Sequence, residues 1–338
     1  MTTIPAIETV DLTKTFHRGG QRTVAVDRLN LTIKPGALVA FLGPNGAGKS
    51  TTLRMLTTLL TPTSGRALLH GLDVARDPAG ARRRFGFVGQ GNGAGSLQHG
   101  RDEVIGQAMA HGASRRAATL RADEVIEALD LGELARRPVQ QLSGGQRRRF
   151  DIAIGLVHRP ELLFLDEPST GLDPQSRAHL QELIRDLHRQ TGSTIVLTTH
   201  YLEEADALSE RVVVIDHGRI IADASSRELK TALGDLVQVH LSSPQAASYA
   251  ASTLTRNGTA ADCDGHTIRV RTNDGPRAAL AMLDRLRDSG HPVTGLEVAR
   301  PSLDDVFLDL TGRALRDAGP VPDETETQPR PTPQEVSA

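Results

Sequence analysis

Residues 43–51 read Gly43-Pro44-Asn45-Gly46-Ala47-Gly48-Lys49-Ser50-Thr51, and this run decides the fold. It fits the G-x-x-x-x-G-K-[ST] pattern of a phosphate loop. Its glycines let the backbone curl until successive N–H groups point inward at phosphate oxygens. Residues 38–42, Leu-Val-Ala-Phe-Leu, are apolar and strand-sized, and residues 50–60 read as a helix. The dipole of that helix adds to the anion site at its N-terminus. Strand, glycine loop and helix in this order are the context a phosphate loop requires. Lys49 is expected to reach the β- and γ-phosphates, and Ser50 to place its hydroxyl on Mg²⁺.

Two further stretches lie downstream. Residues 162–168 form an apolar strand that ends in Asp166-Glu167-Pro168. Asp166 is expected to hold Mg²⁺, commonly through water, and Glu167 to polarise an attacking water. Residues 142–146, Leu142-Ser143-Gly144-Gly145-Gln146, precede a helix over about 145–157. Alone, this is a helix start capped by Ser143, with N–H groups free to bind an anion. Beside a phosphate loop it says more, because one loop needs no second phosphate-binding helix end.

Working outward, residues 7–16, 29–33 and 66–72 read as strands, and 102–136 as helical from Leu, Ile and Val at three- and four-residue spacing. Helices over 174–190 and 202–208 flank a strand at 194–198. Residues 212–222 form a hairpin turning at Asp216-His217-Gly218. Strands alternating with helices predict a largely parallel sheet with an antiparallel edge. After about Lys230, strands at 236–241, 266–272 and 293–298 and helices at 244–257 and 275–289 predict a second, small α+β unit without a chemical motif. The Pro-, Glu-, Asp- and Thr-rich residues 314–338 cannot bury enough apolar surface to offset their ordering entropy and are expected to be disordered.

Bulk properties set limits. The chain has 338 residues, suiting one larger and one smaller domain. It is 38% hydrophobic and 24% charged, with a formal net charge of −2, so the electrostatic footprint of a nucleic-acid binder is missing and no nucleic-acid partner is expected. Its single cysteine, Cys263, cannot form an internal disulfide, which favours a reducing cytosol. No run approaches the roughly 18 apolar residues of a membrane span, and the N-terminus MTTIPAIETV lacks the form of a signal peptide. Action at a membrane is expected to pass through another chain.

The phosphate loop, LSGGQ at 142–146, LLFLDEP at 162–168, Ser169-Thr170-Gly171-Leu172-Asp173 and Thr199-His200 occur together in one order. In this combination the chain, over about residues 5–225, resembles the nucleotide-binding domain of ABC transporters. The resemblance implies an α/β fold: a P-loop NTPase ABC cassette over 1–228 with a helical subdomain at about 91–158, followed by a small α+β C-terminal domain over 229–313. It implies ATP and Mg²⁺ as cofactors and ATP hydrolysis as the activity. Gln90 matches the glutamine that touches Mg²⁺ and the water and faces the permease. Asp173 matches the acid of the loop joining two active sites, and His200 the histidine that contacts the γ-phosphate. Phe16 sits where an aromatic ring stacks on adenine, although a Phe at a strand end also serves as core. A second copy is implied as partner, head to tail, with LSGGQ of one copy closing on ATP held by the other.

A narrower resemblance lies in Arg147-Arg148-Arg149-Phe150-Asp151-Ile152-Ala153 and in residues 300–312, Arg-Pro-Ser-Leu-Asp-Asp-Val-Phe-Leu-Asp-Leu-Thr-Gly. Both look like the daunorubicin-resistance type of drug-exporter ATPase. That implies a separate ABC-2-type membrane permease as partner, a place on the cytoplasmic side of the membrane, and export of a hydrophobic drug or natural product. The competing function is a soluble ABC ATPase of translation or DNA maintenance; one phosphate loop and no sustained heptads weigh against it. Ser302 with Asp305 reads as a capping box for a short terminal helix. That helix either docks on its own small domain or stabilises the ATPase dimer. The glycine-rich stretch after Gln90, with His99-Gly100-Arg101-Asp102, departs from the subgroup and reads as a mobile coupling loop or as drift. Arg82-Arg83-Arg84 and Arg147-Arg148-Arg149 are expected to be solvated helix faces, with a lipid or protein contact as the alternative.

Overall fold

A computed structural model describes residues 4–91, 93, 95, 97–256 and 259–312. The expected disordered tail at 314–338 and part of the glycine-rich stretch after Gln90 (residues 92, 94 and 96) lie outside the described residues. In chain order the elements are β1 (Ile7–Arg18), β2 (Gln21–Ile33), β3 (Leu38–Leu42), α1 (Lys49–Leu56), β4 (Ser64–Leu69), β5 (Leu72–Asp73), α2 (Pro78–Arg82) and β6 (Phe85–Val88). Next come α3 (Gly100–Ala110), α4 (Arg115–Ala128), α5 (Gly144–Leu156), β7 (Leu162–Asp166), α6 (Pro174–Thr191), β8 (Thr194–Thr199) and α7 (Leu202–Leu208). Then follow β9 (Arg211–Asp216), β10 (Arg219–Ala224), α8 (Ser226–Leu233), β11 (Asp235–Leu241), α9 (Pro244–Arg256), β12 (Ala261–Asp264), β13 (Thr267–Thr272), α10 (Gly275–Asp288), β14 (Val293–Ala299) and α11 (Leu303–Thr311).

The central sheet runs β10-β9-β3-β8-β7-β6, parallel except for the edge strand β10. Its strands read as continuous apolar runs because both faces are covered. In β3, Leu38, Ala40 and Leu42 enter one core, while Val39 and Phe41 enter the other. The first core is closed by α3 to α7. The second holds α1, through Leu53, Met55 and Leu56, against the antiparallel sheet β2-β1-β4-β5. Register aligns the carboxyl ends of the strands: Leu42 pairs with Thr199, Asp166 with Thr198, and Val88 with Leu165. The loops that follow β3, β8, β7 and β6 therefore open on one edge, where ligands bind in open α/β sheets.

Several elements differ from the sequence expectations. The helix after the phosphate loop ends at Leu56 rather than residue 60, and Thr58 turns the chain with φ +61°. The helical stretch expected over 102–136 is two helices, α3 and α4, separated at Gly112 with φ +93°. The first half of β2 is solvent-exposed and carries no apolar pattern, so only its buried end was legible. Short or isolated elements, α2, β5, β6, α8 and β12, gave no period long enough to read.

The small C-terminal sheet has the order β12-β13-β11-β14, a βαββαβ unit with α9 and α10 packed through Ala247, Ala250, Ala279 and Met282 on Val237, Val239, Ile268 and Val270. The expected boundary at 228/229 falls inside α8, whose Leu229 packs on the central unit. The terminal helix sends its largest buried side chains into the central unit rather than into the core of its own small domain. In α11, Leu303 and Phe307 are buried in the same core as Leu202, Ala205 and Leu208 of α7. Its N-terminus is the expected capping box, with Ser302 Oγ accepting from the Asp305 N–H at 3.1 Å.

One packing contact has a pH consequence. The His111 and His158 rings stack at 3.8 Å with an 8° interplanar angle, and a ring nitrogen of His158 lies 2.9 Å from the Phe85 carbonyl. Burial first, and the neighbouring His111 second, push the His158 pKa down to about 4. The unfolded chain takes up that proton near the ordinary value of about 6.5, so stability falls as pH drops from there towards about 4. His158→Asn is expected to reduce this acid loss by about 1–2 kcal/mol, allowing for solvent screening of a partly exposed ring. Urea unfolding at neutral and mildly acidic pH measures it; an unchanged acid slope would reject the assignment.

Candidate functional site

The loop between β3 and α1 closes tightly on its neighbours. A Cβ on Gly43 would stand 2.1 Å from the Ile215 carbonyl oxygen; one on Gly48 would stand 2.4 Å from that of Ala25, and Gly48 has φ +102°. Both positions therefore require glycine. Asn45 and Gly46 are exposed at the crest, whereas Pro44 and Ala47 are buried beneath it. Lys49 is 3% exposed, and its ammonium donates to the carbonyls of Gly43 at 2.7 Å and Pro44 at 3.0 Å. Burial lowers its pKa, opposed by Glu167 and Asp166. The ammonium is thus held at the loop's mouth by weak neutral acceptors, which a phosphate oxygen would outcompete.

The strand ends bring the expected residues together. Ser50 Oγ donates to Asp166 Oδ1 at 2.8 Å, and Thr198 Oγ1 donates to the same oxygen at 2.6 Å. Thr198 Oγ1 in turn accepts the Glu167 N–H at 2.9 Å. Ser50 and Asp166 offer hard oxygen donors side by side, which suits Mg²⁺, an ion that keeps several of its waters. The Glu167 carboxylate gathers four groups. Gln90 Nε2 donates to Oε2 at 3.1 Å and Thr170 Oγ1 at 3.0 Å, His200 Nδ1 stands 3.4 Å from Oε2, and Lys49 Nζ stands 3.9 Å from Oε1. Burial acts to raise the Glu167 pKa, but His200, Lys49 and Thr170 together leave it below the ordinary carboxylate value. The group is therefore ionised at neutral pH and fit to orient a water. Its φ of +46° is unusual for a residue with a side chain. The surrounding contacts hold that strain at the point where a carboxylate must face the loop.

The remaining expected residues lie away from this cluster. Leu142 is buried; Ser143 is the N-cap of α5, accepting from the Gln146 N–H at 3.3 Å while Gln146 Oε1 accepts from the Ser143 N–H at 3.0 Å. Gly144 is exposed and Gly145 half-buried beside Ser176. Among the described residues, no hydrogen bond or ion pair joins 142–146 to 43–51. Asp173 is exposed and caps α6, accepting from the Ser176 N–H at 2.9 Å. Phe16 is half-buried at the end of β1 with the Lys14 ammonium 5.3 Å from its ring centre. Thr51 is half-buried in the first turn of α1.

The expectation of a solvated face fails at Arg148, which is 7% exposed. Its guanidinium donates to the carbonyls of Gly89 at 2.6 Å, Pro168 at 3.0 Å and Asp166 at 3.1 Å, with Asp151 at 3.9 Å. One side chain thus ties the segment before Gln90 to both flanks of Glu167. The sequence signal was Asp151 three residues on, followed by an apolar Ile152 on the same helix face. The other run behaves as expected: Arg82, Arg83 and Arg84 are exposed. No helix of the described residues is long and apolar enough to cross a membrane.

The profile described as ABC transporter matches residues 26–170. The chain is 41% identical over 316 residues to the daunorubicin/doxorubicin resistance ATP-binding protein DrrA of Streptomyces peucetius, covering 92% of this chain and 94% of that one. It is 32% identical over 304 residues to the linearmycin resistance ATP-binding protein LnrL of Bacillus subtilis, covering 88% and 96%. Among solved structures, the dimeric MJ0796 bacterial ABC transporter cassette superposes with a TM-score of 0.60 at 28% identity, covering 65% of this chain and 98% of that chain.

Proposed function

The chain belongs to the ABC transporter ATP-binding family, and on that premise we propose that it hydrolyses ATP with Mg²⁺ to drive a separate ABC-2-type membrane permease that exports a hydrophobic drug, antibiotic or natural product. The observation that carries the reading is the Glu167 carboxylate, ionised and held among Gln90, Thr170, His200 and Lys49. Glycine-loop N–H groups and Lys49 bind the phosphates. Ser50 and Asp166, with Gln90, hold Mg²⁺, which supplies charge neutralisation on the phosphate oxygens. Glu167 accepts a proton from the attacking water, and His200 contacts the γ-phosphate. Phe16 lies on the hairpin against which Gly48 packs, and this supports its stacking on adenine.

The first turn of α5 makes no bond to the phosphate loop of its own chain; its Gln146 N–H is capped by Ser143, and the N–H groups of Gly144 and Gly145 point to no bond among the described residues. This supports a head-to-tail pair in which residues 142–146 of one copy close on ATP held by the other, with Asp173 at the join. Drug export is favoured over translation or DNA maintenance by drug-resistance relatives that match nearly the whole chain. The place of action is then the cytoplasmic side of the membrane, through the permease. Cells producing the chain with its permease are expected to clear doxorubicin, read by its fluorescence, and to retain it when Lys49→Ala is introduced. Efflux unchanged by Lys49→Ala, or ribosomes or DNA co-purifying with the chain, would replace this reading.

A further inference from the structure

Glu204, in the first turn of α7, is 1% exposed, and neither of its carboxyl oxygens completes a hydrogen bond. A buried carboxyl without partners is costly enough to call for a reason. Two other buried polar atoms complete no hydrogen bond, Ser169 Oγ and Arg177 Nε. Ser169 is itself 1% exposed and stands two residues beyond Glu167. Thr199 Oγ1 already accepts the Tyr201 N–H at 2.9 Å, so its hydroxyl proton is free for another acceptor. The Arg177 guanidinium covers the Tyr201 ring at 4.0 Å, and that ring lies 4.2 Å from the His200 ring. Burial raises the Glu204 pKa, opposed by the nearby Thr199 and Ser169 hydroxyls and by Arg177 and His200. None of the roles assigned above uses this carboxyl.

We propose that Glu204 is a positioning residue whose carboxyl group joins the Ser169 and Thr199 hydroxyls, fastening the segment between Glu167 and Asp173 to the strand end that carries His200. The histidine that contacts the γ-phosphate and the turn that reaches the second copy then move as one piece. The inference rests on the hydrolytic reading above. It requires polar reach from Glu204, which packing alone does not.

Steady-state ATP hydrolysis by the full chain separates the two. Glu204→Gln keeps both bonding partners and is expected to hold kcat within about twofold, whereas Glu204→Met, similar in volume but without donors or acceptors, lowers kcat about tenfold with KM for ATP within about twofold. Ser169→Ala is expected to lower kcat about threefold or more and to add little on top of Glu204→Met. A Glu204→Met variant with wild-type kcat overturns the proposal. So does a Glu204→Gln variant whose kcat falls about tenfold, or an inert Ser169→Ala, and these two decide the matter where Glu204→Met fails to fold. Wild-type chain that releases no phosphate from Mg-ATP rejects the hydrolytic reading itself; hydrolysis indifferent to all three variants rejects only the role of Glu204.

Discussion

Glu167→Gln is expected to lower ATP turnover by about 10²- to 10³-fold while leaving ATP affinity within about twofold. The substitution keeps the shape of the side chain and a carbonyl oxygen for Gln90 and Thr170, so the local frame survives. It removes the negative charge that Lys49 and His200 face and, with it, the carboxylate proposed to take a proton from water. Phosphate binding rests on the loop N–H groups and Lys49, which are unaltered. A second effect follows from the proposed pair: with binding intact and hydrolysis slow, ATP stays between two copies, and the variant with Mg-ATP is expected to elute as a dimer where the wild type does not. Phosphate release and gel filtration check the two arms. Turnover unchanged in Glu167→Gln removes Glu167 as the base, whatever the oligomeric state.

Arg148→Ala is expected to destabilise the chain by about 3–5 kcal/mol, because it leaves three carbonyls without their charged donor and removes one of the partners of a buried acid. The carbonyls are those of Gly89, Asp166 and Pro168, and the acid is Asp151, 4% exposed. Arg148→Lys is expected to recover little, since one ammonium on a flexible stem cannot span the geometry of the guanidinium fork. The exposed Arg83→Ala serves as the control, with a change within about 0.5 kcal/mol. Chemical denaturation midpoints measure both. Equal effects at Arg148 and Arg83 would mean that the guanidinium is solvated after all. Because Gly89 precedes Gln90, residual folded Arg148→Ala is also expected to turn ATP over about tenfold more slowly.

The two arginine runs show where reading a sequence stops. Both are three consecutive arginines on or beside a helix, and charge alone predicts a wet face for each. One is wet. In the other, the middle guanidinium is drawn inward because unpaired carbonyls converge there from segments far apart in the chain. Such acceptors are invisible in a linear pattern, since every residue has a carbonyl and only folding decides which are left over. The last helix teaches the same lesson. Its capping box and apolar face were legible from Ser302, Asp305, Val306 and Phe307, but the surface it covers was not. Leu303 and Phe307 enter the core beside α7 rather than the neighbouring small sheet.

By itself, the sequence determined the phosphate loop, its strand and helix, the acidic strand end and the capped helix at Ser143. Each depends on local backbone geometry, on glycine where a Cβ will not fit, or on a short period of buried residues. Only the tertiary structure decided that Gln90, Thr170, His200 and Lys49 converge on one Glu167 carboxylate, that Arg148 braces its flanks, and that Glu204 is buried. Those contacts arise because parallel strands in register bring their carboxyl ends to one edge, and no spacing along the chain encodes which strand lies beside which.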